Sequence, residues 1–493
     1  MVFAWLGSVV VDVGEVNCNF KQGPSIERAA LIVSIVYASI LFTTAAFQHY
    51  LFGTQVWDIG LFEQFSWLIG EGRLTAISSL RQVAPLEDHF SLLLLPLGAV
   101  YKLFPSTFTL IGLQSIALGS LPAVAAYVAV QRQVKARLIW ALICAIVLCP
   151  YSFLVNRGDF HPDVLTIPFM IVAIFEATRA GRWRYYFCLF ITLFAKNAQA
   201  LFGLGLGLYA IAKGRYSRGL ITIVISIFWW FLATHLSAAG GDHVAIRLGY
   251  LGDTKLEMIA TLLVRPWIVF SVASPSDIFL YTLGLSLPFI ALLRKPVMAC
   301  LLGAAPVYLV NIISDSGIQR ELNHHYSIPI LAFLIAGCLD SMPLISVKAG
   351  QIQKNVFNVT LVLSLVAFLG YSRLMYFKSR YLPRLPEAIA FQSVVSGIGA
   401  QESVLASSNY VVHLAGRERI SQIEKNDYQE KWPFDVIIFP SEKALINVRG
   451  RLREVGKTKV GRKMNKVLTR AKATGMSCDQ VNDYIRLCRK EAG

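Results

Sequence analysis

Charge is what this chain has least of. Of 493 residues only 15% are Asp, Glu, Lys or Arg, while 55% are hydrophobic. A soluble chain of that length needs more charge to keep its surface hydrated, so a wholly soluble protein is excluded. Paired metal-binding motifs are missing as well. The eight cysteines are scattered, and no CxxC or HExxH spacing occurs, which removes the usual structural-zinc and zincin readings. Cys144, Cys149, Cys188, Cys300 and Cys338 lie in apolar segments, where cysteine serves as a small packing residue. No clear cleavable signal is expected either. Met1–Arg28 mixes Asp12, Glu15, Lys21 and Arg28 into short apolar runs, so the stretch that follows reads as a retained first span.

What the chain does have is long apolar blocks. Leu31–Phe47, Phe108–Val130, Leu138–Leu154, Leu220–Leu236, Ile278–Leu293, Val297–Ile313 and Val356–Phe368 are almost free of charge. Each approaches the roughly 20 residues a helix needs to cross a hydrocarbon core of ~30 Å. Backbone amides find no water there, so the blocks must be helical. Basic clusters recur between them: Arg132, Lys135 and Arg137; Arg179, Arg182 and Arg184; Lys213, Arg215 and Arg218; Arg294 and Lys295; Lys348 and Lys354. Short basic loops stay cytoplasmic. To keep all of these inside, His89–Phe104 must dip into the outer face and return, and Glu257–Val272 must lie in the interface. The chain must also turn near Lys196. The count is then about eleven spans, with the N-terminus inside and the C-terminal end outside a bacterial inner membrane.

The reading divides the chain into a membrane domain, 1–379, and an extracytoplasmic domain, 380–493. Ser403–Ser407 and Phe434–Phe439 read as short buried strands, with Asn409–Ala415 helical between them, giving a small α/β domain. Beyond Pro440 the chain is strongly basic, from Arg449 to Lys472. That run is either a solvated surface or one drawn to anionic headgroups. Nucleic acid is not an expected partner on the outer side. Cys478 and Cys488 are expected outside and unpaired. Were Asp479–Arg489 one helix, its rise of roughly 15 Å would exceed disulfide reach.

Under this topology the polar residues gather on one face. The first outer loop carries Trp57-Asp58 at the start of an amphipathic surface helix, then Glu63, and further on Asp88-His89. The next carries Asp159, His161 and Asp163. Lys196 sits at a short hairpin, and the last loop carries Arg320, His324 and His325. Acids and histidines can move protons, and Lys or Arg can hold a phosphate. Bland alternatives exist for each. Asp58 suits a helix cap, Glu63 a solvated face, and Lys196 a cation snorkelling to headgroups. Arg320 suits a loop salt bridge with Glu321 or Asp315. Adjacent His324 and His325 cannot both point at one site, so at most one serves.

The runs from Trp57 to Gln64, Asp88-His89-Phe90-Ser91, Phe160-His161-Pro162-Asp163 and His324-His325-Tyr326 resemble the domain-of-unknown-function 2079 family of membrane proteins. That family in turn is similar to the type-C glycosyltransferases, which take sugars from polyprenyl phosphates. The resemblance implies an acid in the first outer loop, a second acid after the third span, and a Lys on a short later hairpin. The matching residues are Asp58, Asp159 or Asp163, and Lys196. Asn197-Ala198 stands where acidic residues are expected in relatives. The resemblance implies a fold that is otherwise all-α and polytopic, with membrane lipids and a polyprenyl-phosphate-linked sugar as partners. Asp58 is expected as the base. Lys196 and Arg320 are expected on the lipid phosphate, with His89, Asp159, His161, Asp163 and His324 around the substrate. Two acids and a phosphate suit Mg²⁺ or Mn²⁺ bridging Asp58 and Asp159, though the fold also works without metal. The rival reading is a transporter or scaffold that reuses the fold. A transporter calls for deep charges and internal repeats, and neither stands out.

Overall fold

The protein, seen in a computed structural model, is described over residues 23–237, 247–425, 429–448 and 451–490. Residues 1–22, on which the retained-start reading rests, and Arg449 of the basic run fall outside them. Among the described residues six helical segments are long and apolar enough to cross a membrane: Gly23–Tyr50, Thr107–Gln131, Ala136–Arg157, Tyr216–Leu236, His325–Ser346 and Gly350–Tyr371. Shorter helices lie among them, including Ile167–Glu176, Trp183–Leu193, Ala200–Ala212, Pro275–Ser286 and Val297–Ile313. Six of the expected eleven spans are thus long enough to cross by themselves; the others correspond to shorter helices.

Which face each helix buries follows from residue size. Ile328–Ser346 is apolar all round and buried nearly throughout, so it occupies the centre of the bundle. Tyr216–Leu236 instead turns Gly219, Thr222, Ser226, Trp229 and Ala233 inward, and leaves Leu220, Val224, Phe228 and Phe231 exposed. Lipid tails are as apolar as a protein core, so large side chains gain nothing by facing inward. Small ones let backbones approach, and inter-helix packing is built from them.

Between the first two long spans the chain stays at one end of the bundle. A single π-turn, Val56–Gly60, leads into α1 (Leu61–Gly70), against which α2 (Leu94–Leu103) packs. The ten-residue α2 is the expected dip. Lys255–Val264 followed by a turn at Pro266–Ser271 leaves Leu256, Leu263 and Trp267 exposed, as an interfacial segment would. Glu63 departs from expectation, being buried in α1 rather than solvated. Its carboxylate accepts from Tyr101 Oη at 2.8 Å and Thr107 Oγ1 at 2.7 Å. Burial raises its pKa to about 7 against the pull of those two hydroxyls and Arg417.

The C-terminal part forms a five-stranded mixed sheet. The strands are β1 (Val404–Ala406), β2 (Ile420–Gln422), β3 (Val436–Pro440), β4 (Leu445–Val448), β5 (Arg451–Glu454), β6 (Met476–Gln480) and β7 (Ile485–Lys490). The sheet order is β2-β1-β3-β7-β6, and β4 and β5 make a separate hairpin. The helix expected at Asn409–Ala415 shrinks to Ser408–Val411. The basic run folds too. It contains the helix Lys459–Ala473, which turns Met464, Val467 and Ala471 inward and keeps most of its cations outside. The premise of one helix over Asp479–Arg489 fails, because β6 and β7 form an antiparallel ribbon there. Cys478 stands directly opposite Cys488 and the two form a disulfide, their α-carbons 4.0 Å apart.

This sheet shares one core with the surface helices. Phe52, Val56, Ile59, Phe62 and Phe65 pack with Phe391, Tyr410, Val412, Leu414 and Ile438. Gln64 adds a polar rivet, its Nε2 donating to the Arg417 carbonyl at 3.0 Å. Glu63→Ala strands the buried Tyr101 and Thr107 hydroxyls beside this seam, at about 1–3 kcal/mol for each unmet group. Thermal unfolding in detergent should show that loss, with Glu63→Gln markedly milder. Equal melting temperatures for Glu63→Ala and the native chain would contradict the assignment.

Candidate functional site

Four loops at the sheet end of the bundle enclose a cavity of about 560 Å³. Part of its wall is apolar, from Leu201, Trp230, Val307, Val310 and Pro329. The rest is polar and includes Asp58, Arg81, Asp88, His89, His161, Asp163, Lys196, Arg247 and His325. Of the residues expected at a site, Asp58, His89, His161, Asp163 and Lys196 therefore meet in one place.

Each loop is pinned by side chains from the helices beneath it. Gln114 accepts from the His161 amide at 2.9 Å and donates to the Asp159 carbonyl at 2.9 Å. Tyr151 Oη donates to the His324 carbonyl at 3.1 Å and accepts from the Ser327 amide at 3.0 Å. The Asn197 amide donates to the His89 carbonyl at 3.3 Å, tying the Lys196 hairpin to the first loop. These contacts satisfy backbone groups that water cannot reach, which fixes the loops as firmly as secondary structure would.

Asp58 lies in the turn before α1 and caps nothing. Gln55 is the N-cap residue there and makes no side-chain cap bond, so the cap reading fails. Asp58 Oδ1 faces His161 Nε2 at 3.5 Å. Burial raises the Asp58 pKa to about 6; Lys196 pulls it down and Asp163 pushes it up. Lys196 Nζ stands 3.3 Å from His325 Nε2, so it turns into the cavity rather than out to headgroups. Arg81 Nε holds Asp88 at 2.8 Å, and the His89 ring lies 3.4 Å from the same carboxylate.

Three expected residues stand elsewhere. Asp159, buried with φ at 101°, turns its carboxylate to the Gln55 amide at 3.0 Å. It braces the turn that carries Asp58 and does not line the cavity. Arg320, expected on the lipid phosphate, lies outside the cavity lining and pairs with neither Glu321 nor Asp315. Its guanidinium donates to the carbonyls of Asn311, Ile312, Ser314 and Val272, closing the C-terminal end of Val297–Ile313. His324 faces Glu321 at 3.9 Å outside the cavity, and its neighbour His325 takes the inward position. Successive residues at the start of a turn point apart, so only one of the pair can enter.

Arg81 and Arg247 are cavity residues that sequence reasoning missed; Arg247 is the one nearest the last loop. It lines the cavity, lies over the Tyr326 ring at 5.2 Å and donates to Tyr326 Oη at 3.3 Å. The available signal was weak, a single cation in a polar stretch between two apolar blocks. Gln114 and Tyr151 were missed as well, because polar side chains inside apolar spans read as part of the span.

The contact that brings the second and last loops together is at Gly158. A β-carbon there would lie 1.7 Å from the Asn323 carbonyl oxygen. Gly158→Ala should therefore force apart the loops bearing His161 and His325, lowering the melting temperature in detergent. A cysteine pair installed across the two loops should crosslink less readily in that background. Unchanged stability and crosslinking would show that the close approach is not required.

The family of predicted membrane proteins DUF2079 matches residues 48–453. No curated protein matches. Among solved structures, ArnT from Cupriavidus metallidurans bound to undecaprenyl phosphate is similar, with a TM-score of 0.53 and 10% identity over 94% of this chain and 98% of that one. The apo form of the same protein gives 0.47 and 11%, over 91% and 97%. At that identity the likeness concerns the fold, which is the type-C glycosyltransferase fold. With its match spanning most of its length, this chain belongs to the DUF2079 family of membrane proteins.

Proposed function

We propose that the protein is a membrane glycosyltransferase that moves a sugar from a polyprenyl phosphate to an acceptor on the outer side of a bacterial inner membrane. The observation that carries this reading is one cavity holding Asp58 and Lys196 on different loops, with an apolar wall beside them. A lipid-linked sugar needs that combination: an apolar path for the chain, cations for its phosphate and an acid for the acceptor. The ArnT structure with undecaprenyl phosphate shares the fold, which supports the donor class.

In the reaction, Asp58 takes the proton of the acceptor hydroxyl as its oxygen bonds to the sugar's anomeric carbon. The bond from that carbon to the phosphate oxygen breaks, and its electron pair leaves on the lipid phosphate. Lys196 and Arg247 neutralise that charge, Arg247 in place of the expected Arg320. Arg81, Asp88 and His89 present donors and acceptors to the sugar hydroxyls. Attack from the face opposite the phosphate inverts the anomeric carbon.

Two features support the outer location. The basic clusters Arg132–Arg137, Arg179–Arg184 and Lys213–Arg218 connect the helix ends away from the cavity, and such loops stay cytoplasmic. The Cys478–Cys488 disulfide belongs to an oxidising compartment. An impermeant maleimide applied to intact cells should label these two cysteines only after treatment with an impermeant reductant. Labelling that required lysis would reverse the orientation.

Asp58→Asn keeps the side chain's size and removes its basicity. Transfer from a radiolabelled polyprenyl-phosphate sugar should fall by about two to four orders of magnitude, with lipid binding retained. Full transfer by Asp58→Asn would remove Asp58 from the role of base.

A further inference from the structure

The cavity contains a second cluster that glycosyl transfer does not require. His161, Asp163 and His325 are all buried, and each offers one ligand atom within 4.8 Å of the others. The two imidazole rings are close, their centres 3.7 Å apart and their planes tilted by 37°. Both nitrogens of His161, Nδ1 of His325 and Oδ1 of Asp163 have no hydrogen-bond partner. The nearest carboxylate contacts are long, 3.5 Å from His161 to Asp58 and 3.6 Å from His325 to Asp163, and the Lys196 ammonium stands 3.3 Å from His325 Nε2. Buried polar atoms are rarely left unmet, and two histidines converging on a carboxylate in that condition make a donor set suited to a cation.

We propose that His161, Asp163 and His325 form a transition-metal site of the zinc type, with a fourth position open to the cavity. The donor set decides the metal class. Imidazole suits Zn²⁺ and its neighbours, whereas Mg²⁺ and Ca²⁺ take oxygen ligands. The site therefore differs in place and chemistry from an Mg²⁺ or Mn²⁺ bridge between Asp58 and Asp159. Zinc bonds of about 2.0–2.1 Å set tetrahedral ligand atoms roughly 3.4 Å apart, so the three side chains draw in by about an ångström, within reach of small side-chain rotations. Lys196 is the competitor. Its ammonium stands 3.3 Å from His325 Nε2 and must swing toward the cavity when the metal enters. Metal and Lys196 then face the same space, where an anionic oxygen completes the coordination. The site rests on ligand geometry and stands whether or not the protein transfers sugars.

The test uses full-length protein purified without an immobilised-metal step, then equilibrated with Zn²⁺. Elemental analysis should find about one zinc per chain, and X-ray absorption should show two imidazoles in a nitrogen and oxygen shell near 2.0–2.1 Å. His161→Ala and His325→Ala should each weaken Zn²⁺ binding by more than the roughly 10–100-fold that loss of an outer partner costs. His324→Ala should leave it unchanged, and Lys196→Met should tighten it. No zinc uptake, an absorption spectrum without two imidazoles, or full binding by the His161→Ala/His325→Ala double variant would overturn the proposal. The absorption spectrum is read on the native chain, so the result does not depend on the variants folding.

Discussion

The approach of Gly158 to the Asn323 carbonyl sets the spacing between two loops that are far apart in sequence. One of them supplies His161 and Asp163, the other His325. Gln114 and Tyr151, standing in the spans below, hold the same two loops by their backbones. Loops at a membrane surface are usually the softest part of a bundle. Here several of their backbone groups are bonded to side chains of the spans below. A rigid cavity with polar contents is the consequence.

That rigidity extends outward. Ordinarily a surface helix on a bilayer drifts with the headgroups, but α1 is clamped from above by the sheet. Phe62 and Phe65 share a core with Tyr410 and Ile438, and Lys425 lies 3.6 Å from the centre of the Trp57 ring. Asp159 braces the turn just before Asp58 from below. The carboxylate at 58 is thus positioned by three parts of the chain, and its neighbours set its charge: Lys196 favours the ionised form while burial and Asp163 oppose it. At the opposite end of the helices Asp340 pairs with Lys213 at 2.7 Å and with Arg132. One carboxylate there holds both cations, so the cluster reads as a structural tie.

Much of this was legible in the sequence, and the limits have physical causes. Apolar block length marks spans because the bilayer sets it, and basic loops mark their ends. Asp58, His161 and Lys196 stood out because ionisable residues beside apolar helices are costly unless used. Direction was not legible. His324 and His325 carry the same chemistry, and only the turn at 325 decides which enters. Arg320 was misread because a guanidinium closing a helix end looks, in sequence, like one awaiting a phosphate. Glu63 was misread because the hydroxyls that meet its buried carboxylate, those of Tyr101 and Thr107, lie on later helices and leave no local trace around residue 63. The ribbon that pairs Cys478 with Cys488 is local but was hidden by its own pattern: both strands are short, and neither alternates cleanly in hydrophobicity.

The central claim is that the cavity beside Asp58 receives a lipid-linked phosphate. Cryo-electron microscopy of the full-length protein with added undecaprenyl phosphate tests it most directly. The account predicts density for the phosphate within hydrogen-bonding distance of Lys196 Nζ and the Arg247 guanidinium, with the chain running along Leu201, Val307 and Val310. Phosphate density in the Arg132–Lys213 cleft at the other end of the helices, with this cavity empty, would contradict it.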